Sequence, residues 1–245
     1  MHRRRILDVK TFINDIRSIL QAHANPALVQ KYARYFVEGY DAYGVDLKDI
    51  KTEMYGWIRD YREPFGLEGF LQLGDELVST GKYEEGMIAI SLIKHFRHEF
   101  TPRTLDRLGI WLEIGLCNWA HVDVFSGDVL SVFVVEKIVA LGAFSTWRNA
   151  TSKWKRRSVP VTLLSAIKDD YPIKTLLEFI EPMIMDEEKV VHQGLGWFLR
   201  EAWKKEPAIV EAFLLKWKDR CARLIIQYAT EKMDKQKKSV FKKNK

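Results

Sequence analysis

Apolar residues recur three and four positions apart along nearly the whole chain, with polar residues between them. This spacing is typical of amphipathic helices, and glycine and proline never frame alternating strands, so we expect an all-α protein with essentially no sheet. The first predicted helices run from Pro26 through Tyr40 toward Gly44, and from Asp46 as a cap to Pro64. The later helices are predicted over 67–78, 83–96, 102–116, 122–140, 153–167, 173–183, 189–204 and 207–230.

Short connections join these helices, which form successive pairs roughly 35 to 45 residues apart. That period is typical of helical hairpins that stack into a curved α-solenoid, although the internal sequence similarity is weak. One helix is ambiguous because Pro160 would crowd the preceding carbonyl, so this helix either starts near Arg157 or bends there. We expect one domain over 1–231 and a disordered, lysine-rich tail over 232–245.

Composition and charge indicate which class of partner and which cellular compartment to expect. The 245 residues carry a formal net charge of +6 with a pI near 9.1, a balance that favours phosphate-bearing partners or simply a solvated basic surface. Cys117 and Cys221 lie far apart in apolar helical patterns and are expected to be reduced core thiols. No apolar stretch reaches membrane-spanning length, and the basic start 1–5 precedes no apolar signal core, so we expect a cytoplasmic protein.

Three helical segments combine aromatic and charged side chains in a way that suits nucleic acid. They contain Trp119 with Asp123, the basic run Trp154-Lys155-Arg156-Arg157, and Trp197 behind Gly194 and Gly196. Each segment by itself has a structural alternative. The first is also typical of a core tryptophan beside a helix-capping aspartate, the second of a solvated basic face, and the third of close helix packing.

The same fragments occur together, in this order, in one protein family. The segments Asn118-Trp119-Ala120-His121-Val122-Asp123, Trp154-Lys155-Arg156-Arg157 and Gln193-Gly194-Leu195-Gly196-Trp197-Phe198-Leu199-Arg200-Glu201, with Pro207 shortly after, resemble the AlkD-like DNA alkylation repair glycosylases. The resemblance extends from about Lys82 to Phe213 and is weaker before it. Two departures stand out. The turn at Gly44 lacks the proline and paired basic residues frequent in that family, and Asn118 stands where many relatives carry an aromatic residue.

The resemblance implies a fold of stacked HEAT-like repeats whose concave, basic face holds duplex DNA. It also implies hydrolysis of the N-glycosidic bond of positively charged N3- and N7-alkylated purines. By motif, Asp123 corresponds to the catalytic carboxylate, the two tryptophans of the motifs to aromatic walls around the lesion, and Arg157 to a phosphate contact. The residues expected to bind substrate or DNA are Trp119, Trp197, Arg157, Tyr35, Arg156 and Trp154.

The chemistry of such a lesion suits these residue types. An alkylated purine is a cation that leaves as a neutral base, so a strong general acid is less necessary than in ordinary glycoside cleavage. Positive charge develops on the deoxyribose as the bond breaks, and a nearby carboxylate stabilises that charge while orienting water. An indole face stabilises a nearby cation by about 0.5 to 2 kcal/mol, and a guanidinium can donate two parallel hydrogen bonds to one phosphate.

The chain lacks the motifs of several other enzyme classes: it has no glycine-rich phosphate loop, HExxH helix, paired CxxC or nucleophile elbow. We expect no metal and no cofactor. The expected partner is double-stranded DNA with alkylated purines, bound by a monomer in a bacterial-type, nucleoid-associated cytosol, without a membrane or an obligate protein partner. Two alternatives stay open: a noncatalytic HEAT-repeat protein that recognises damaged or branched DNA, and a scaffold that presents its concave face to peptides.

Overall fold

The computed structural model describes residues 8–242, and every regular element within that range is helical. The prediction of an all-α chain is therefore confirmed. The basic start 1–5 lies outside the described residues. The helices pack as two compact units, Met1–His121 (unit 1) and Val122–Lys245 (unit 2). The single domain expected over 1–231 stays a prediction.

Unit 1 consists of helices packed around an apolar core. They are α1 (Val9–Ala22), α2 (Pro26–Ala33), α3 (Lys51–Ser79), α4 (Tyr83–Ile93) with a following 3₁₀ turn (Lys94–Glu99), α5 (Pro102–Ile114), and the start of α6 (Trp119–Phe125). Helix α3 contacts α1, α4 and α5. It continues past Pro64, where the sequence predicts an end, and is kinked instead at Gly66, whose φ of 55° and ψ of −171° are not helical.

A long loop over 34–50 replaces the second half of the first predicted helix. Helix α2 ends at Ala33, so Phe36 and Tyr40 lie in the loop instead of on a helix. Gly39 lies between these two aromatic residues with a φ of 109°. This conformation is easily reached only by glycine and is incompatible with a right-handed helix, so no helix runs through this position to Tyr40.

The buried Glu84, near the start of α4, holds this loop in place. Its carboxylate accepts hydrogen bonds from the backbone N–H groups of Tyr43, Gly44 and Val45 at 2.8 to 3.0 Å. Gly44 adopts a φ of 78°, and a side chain there would collide with the carbonyl oxygen of Asn25. A buried carboxylate is tolerated because such charge-assisted hydrogen bonds compensate for its lost hydration.

Unit 2 is built around α10. Its elements are the rest of α6, a π-helical turn (Ser126–Leu130), α7 (Ser131–Val135), two 3₁₀ turns (Leu141–Phe144 and Thr146–Asn149), α8 (Lys153–Lys168), α9 (Ile173–Ile180) with a 3₁₀ turn (Glu181–Met183), α10 (Lys189–Lys205), α11 (Pro207–Trp217), α12 (Arg223–Ala229) and α13 (Lys235–Val240). Helix α10 packs against α8 and α12. Helix α8 is capped by the Ser152 side chain and contains Pro160, so the alternative start near Arg157 is wrong.

One of the two glycines before Trp197 allows helices to pack closely. A methyl group at Gly196 would lie 2.4 Å from Cβ of Tyr228 on α12, and one at Gly194 would lie 3.5 Å from Cγ of Arg157 on α8. Gly196 therefore allows the close packing of α10 on α12, whereas a Cβ at Gly194 would make only ordinary van der Waals contacts.

Several predicted boundaries differ from the structure. The helix predicted over 122–140 begins at Trp119 and gives way to non-helical backbone after Val135. The helix predicted over 207–230 is divided into α11 and α12. Cys117 is exposed rather than a core thiol, whereas Cys221 is buried as expected.

Much of the lysine-rich segment is folded, contrary to the disordered tail expected over 232–245. It forms α13, and Phe241 behind that helix is 3% exposed. Lys237 forms an ion pair with Glu211 of α11 at 2.7 Å. The lysine-rich composition gave no sign that one buried phenylalanine and one ion pair would dock this segment. Residues 243–245 lie outside the described residues.

Candidate functional site

Asp123 and Arg157 form a bidentate ion pair within unit 2. Arg157 donates from Nε to one carboxylate oxygen of Asp123 at 3.0 Å and from Nη2 to the other at 2.9 Å. Its remaining nitrogen, Nη1, donates to the backbone carbonyl of Val190 on α10 at 2.6 Å. The guanidinium thus fixes the orientation of the carboxylate and is itself anchored by α10.

The burial of the pair is uneven. The side chain of Arg157 is 6% exposed, whereas that of Asp123 is 19% exposed, so the carboxylate is the partner that solvent and ligands can reach. Burial raises the pKa of the Asp123 carboxyl above its usual range, and the hydrogen bonds and charge of Arg157 oppose this shift. Asp123 lies inside α6, so the helix-capping alternative for this residue is wrong.

Trp197 lies on the same helix as the carbonyl that anchors Arg157. Val190, Gly194 and Trp197 follow each other at spacings of four and three residues, which places them along one face of α10. Trp197 is partly exposed, and Gly194 on this face lies against Arg157. Unit 2 therefore combines a carboxylate, its guanidinium and a partly exposed indole on adjacent helices.

Two other residues expected to bind DNA have structural roles. Arg156 forms a bidentate ion pair with Asp186, with a shortest distance of 2.6 Å, and donates to the carbonyls of Ala150 and Thr151. Trp154 is only 7% exposed and belongs to the core. These placements give neither side chain an open face toward DNA, so the structure lends no support to their predicted contacts.

Trp119 and Tyr35 come together in unit 1. The indole of Trp119 is 45% exposed, and its Nε1 donates to the backbone carbonyl of Tyr35 at 3.1 Å. The ring of Trp119 also stacks on Phe36, with centroids 5.8 Å apart and an interplanar angle of 16°. Tyr35 is 51% exposed, and Arg34 lies over its ring. The two predicted DNA-binding aromatics are thus neighbours and both reach the surface.

His121 is a buried structural residue. It is fully buried between an amide and a carbonyl: Nδ1 accepts from the side chain of Asn118 and Nε2 donates to the carbonyl of Tyr83, both at 2.8 Å. Burial lowers the pKa of His121 to about 4. Asn118 also accepts from the backbone N–H of His121 and so caps α6, which explains an asparagine before Trp119.

Unit 1 also contains a cavity that was not predicted from the sequence. We call it the aromatic pocket; it has a volume of about 710 Å³. Its aromatic lining consists of Tyr32, Tyr35, Phe36, Tyr40, Tyr83 and Trp119. The spacing of the four residues before Gly44 resembles the apolar face of a helix, and of these four the sequence singled out only Tyr35, as a contact to DNA. The loop over 34–50 and its anchor on Glu84 create the pocket.

Comparison with known proteins assigns the chain to a family. The sequence model of a family described as DNA alkylation repair enzyme matches residues 16–233, which is most of the chain. The chain belongs to this family. Membership in the DNA alkylation repair family implies that the protein acts in the repair of alkylated DNA, in agreement with the resemblance of its three motifs.

A solved structure supports the helical-repeat fold of this member of the DNA alkylation repair family. It is described as a predicted DNA alkylation repair enzyme from Enterococcus faecalis, and it matches 87% of this chain and 98% of its own with a TM-score of 0.71. The sequences are 18% identical, so the likeness concerns the fold. No curated protein matches the sequence of this family member.

The described part of this DNA alkylation repair protein contains neither a membrane-spanning helix nor a group of metal ligands. None of its helices there is long and apolar enough to cross a membrane. Over the same residues, no three histidine, cysteine, aspartate or glutamate side chains are grouped as metal ligands.

Proposed function

We propose that the protein is a DNA glycosylase that hydrolyses the N-glycosidic bond of N3- and N7-alkylated purines in duplex DNA. The observation that carries this proposal is the Asp123 carboxylate, oriented by the buried Arg157 yet partly open to solvent, in a member of the DNA alkylation repair family. The bidentate pair leaves further lone pairs on both carboxylate oxygens, which can accept from a water molecule.

In this proposal Asp123 is the catalytic residue. Departure of the alkylated base develops positive charge on the deoxyribose, and a fixed carboxylate stabilises that charge more strongly in a partly dehydrated site than in water. The same carboxylate orients the water that attacks the sugar. Arg157 is a positioning residue, because its guanidinium is turned toward Asp123 and Val190 instead of solvent. This role replaces the phosphate contact that the resemblance implies for Arg157.

The two partly exposed tryptophans are proposed as contacts to the lesion. Trp119 begins the helix that carries Asp123, and Trp197 lies on the helix that anchors Arg157. An indole face stabilises an adjacent cation by about 0.5 to 2 kcal/mol, with the larger value where water is excluded. The alkylated purine and the polarised sugar both carry such positive charge.

A direct test is the release of 7-methylguanine from a duplex by the wild-type protein and by Asp123→Asn. We expect release by the wild type and a rate at least about a hundredfold lower for Asp123→Asn, which keeps the shape but removes the charge. Asp128→Asn is the matched control, because Asp128 is an exposed carboxylate in the next helical turn. Its rate should equal that of the wild type.

The outcome separates the enzyme from a noncatalytic DNA-binding protein. If the wild type binds the duplex but releases no base, the glycosylase proposal is wrong and the binding alternative is favoured. An equal loss of activity in Asp128→Asn and Asp123→Asn would remove the specific role of Asp123.

A further inference from the structure

Two consecutive arginines at the start of α8 bind the segment that begins α10. Arg157 donates from Nη1 to the backbone carbonyl of Val190 at 2.6 Å. Arg156 donates from Nε and Nη2 to the two carboxylate oxygens of Asp186, at 2.6 and 3.3 Å. Asp186 precedes α10 and Val190 lies in its first turn. Neighbouring side chains of one helix therefore hold the start of the other helix at two points.

Asp186 also orders the chain around it. Its carboxylate accepts a hydrogen bond from the backbone N–H of Glu188 at 2.8 Å, and its backbone carbonyl accepts one from Nε2 of His192 at 2.5 Å. The Asp186 side chain is 7% exposed and that of Arg156 is 17% exposed, so salt and solvent screen this ion pair little. The side chain of Glu188, which directly precedes α10, makes no capping hydrogen bond. The contacts of Asp186 hold this helix start instead.

Arg156 connects a further segment to the same point. Its Nη1 donates to the backbone carbonyls of Ala150 and Thr151, at 2.7 and 3.1 Å, in the loop that leads into α8. All three nitrogens of the guanidinium therefore donate hydrogen bonds, and they join this loop, α8 and Asp186. A planar guanidinium that is bound in this way has few alternative positions, so it is suited to fixing the geometry of its neighbours.

The helix start that Asp186 holds is the anchor of the Asp123–Arg157 pair. The carbonyl of Val190 accepts from Nη1 of Arg157, and the other two nitrogens of Arg157 donate to Asp123. If the first turn of α10 shifts, the Val190 carbonyl moves and Arg157 loses one of these contacts. The carboxylate of Asp123 is then held less firmly. A misplacement of about 1 Å in an enzyme can lower the rate about a hundredfold.

From these contacts we propose that Asp186 and Arg156 are positioning residues for Asp123. They fix the first turn of α10, whose Val190 carbonyl orients Arg157, and Arg157 in turn orients the catalytic carboxylate. The inference rests on the proposed function, since it names residues that set the geometry of its catalytic group. It extends that function, because Asp186 belongs to none of the three sequence motifs and Arg156 was expected to contact DNA.

The kinetic test is the rate of 7-methylguanine release from a duplex by the wild type and by Asp186→Asn, with the protein in saturating excess. Asparagine keeps the shape and the acceptor for the N–H of Glu188 but loses the charge that binds Arg156. We expect a rate about tenfold lower and a duplex Kd within about twofold of the wild type, because a displaced Asp123 impairs the reaction and not DNA binding. A loss of affinity without a loss of rate would contradict the proposal.

The pH dependence separates positioning from a loss of stability. Arg157 opposes the rise that burial causes in the pKa of the Asp123 carboxyl. When Arg157 is less well placed this pKa rises further, so the acid limb of the pH–rate profile should move to higher pH in Asp186→Asn. The loss of a negative charge at position 186 would by itself lower the pKa of Asp123. Arg156→Lys, which keeps the positive charge but not the fixed fork of donors, should shift the limb in the same direction.

Asp75→Asn is the matched control. Asp75 also accepts hydrogen bonds from two nitrogens of an arginine, Arg107, and from a further N–H, that of the Trp111 indole. This ion pair belongs to unit 1, whereas Asp123 belongs to unit 2. Urea unfolding should show that both aspartate variants are folded and less stable than the wild type. The acid limb should move in Asp186→Asn and stay in place in Asp75→Asn.

The titration of Asp123 is also measured without any release of a base. Carboxyl ¹³C resonances of aspartate-labelled protein, assigned through Asp123→Asn, report the pKa of this group in each variant. We expect a higher pKa in Asp186→Asn than in the wild type. An unchanged titration of Asp123 in Asp186→Asn, or an equal change in Asp75→Asn, overturns the positioning role. Failure of the glycosylase proposal would appear instead as absent base release by the wild type, with the shifted titration intact.

Discussion

At the scale of single residues, Asp123 shows how a carboxylate can be both held and available. Arg157 donates one hydrogen bond to each carboxylate oxygen of Asp123, and the Asp123 side chain remains 19% exposed. A bare buried aspartate would be protonated, and a fully solvated one would stabilise a cation weakly. The ion pair with Arg157 keeps Asp123 ionised while it is still partly shielded from water.

The ionisation of Asp123 predicts how base release depends on pH. Burial raises the pKa of this carboxyl above the ordinary value of 3.8, so the active carboxylate is lost on acidification earlier than for a solvated aspartate. We expect the enzymatic rate of 7-methylguanine release to fall as the pH drops through this raised pKa. The measurement is a pH–rate profile corrected for release without enzyme. An acid limb that persists in Asp123→Asn would contradict this assignment.

His121 predicts a pH dependence of stability. Its pKa is about 4 in the folded protein and 6.5 when unperturbed, so the unfolded chain binds the proton first as the pH falls from 6.5 toward 4. The free energy of unfolding should therefore decrease over this window, by up to about 3 kcal/mol. Urea unfolding of wild type and His121→Gln at several pH values measures the difference. Parallel pH dependences of the two proteins would show that His121 does not titrate as described.

At the scale of elements, the close packing of α10 and α12 depends on one glycine. A Cβ at Gly196 would lie 2.4 Å from Cβ of Tyr228 and 3.0 Å from a backbone oxygen of Ile225, neither of which can move freely. We expect Gly196→Ala to lower the free energy of unfolding by about 1 to 3 kcal/mol. Gly127→Ala is the control, since no atom lies within 4 Å of its Cβ position. A stability loss of equal size in both would point to backbone effects instead of a helix contact.

The C-terminal helix α13 is expected to be part of the folded unit. Phe241→Ala removes an aromatic side chain that is 3% exposed, whereas Val240→Ala changes a neighbour that is 52% exposed. We expect Phe241→Ala to destabilise the protein by about 3 kcal/mol and to expose the lysine-rich segment to trypsin. Val240→Ala should behave as the wild type in thermal unfolding and limited proteolysis. Equal cleavage of the wild type and Phe241→Ala would show that α13 is not docked in solution.

At the scale of the whole molecule, the net charge of +6 predicts salt-dependent binding to duplex DNA. Each phosphate contact releases counterions, so affinity should fall at least about tenfold between ~50 and ~200 mM salt. Asp123→Asn should show the same salt slope, because Asp123 is not expected to contact a phosphate. Fluorescence anisotropy with a labelled duplex measures both. Absence of binding at the lower salt concentration would favour the peptide-binding scaffold instead.

Most helix starts were predictable, because the periodicity of an amphipathic helix involves only residues three or four positions apart. The starts of α2, α4, α5, α8, α9, α10 and α11 coincide with the predicted ones. Ends were less predictable: α2 stops at Ala33, and the loop after it contains Gly39 at a positive φ and is bound to Glu84. The site residues stay a prediction; the structure leaves Asp123 and Trp197 partly exposed and Trp119 exposed.

The sequence by itself determined an all-helical, basic chain with three ordered motifs, because spacing, charge and motif order are properties of the chain alone. Tertiary structure decided where each motif residue lies and what it contacts. Arg157 meets Asp123 across 34 residues, Trp154 turns into the core, and the aromatic pocket is closed by a loop that Glu84 holds. Such pairings depend on which helix faces pack together, and a one-dimensional pattern does not specify them.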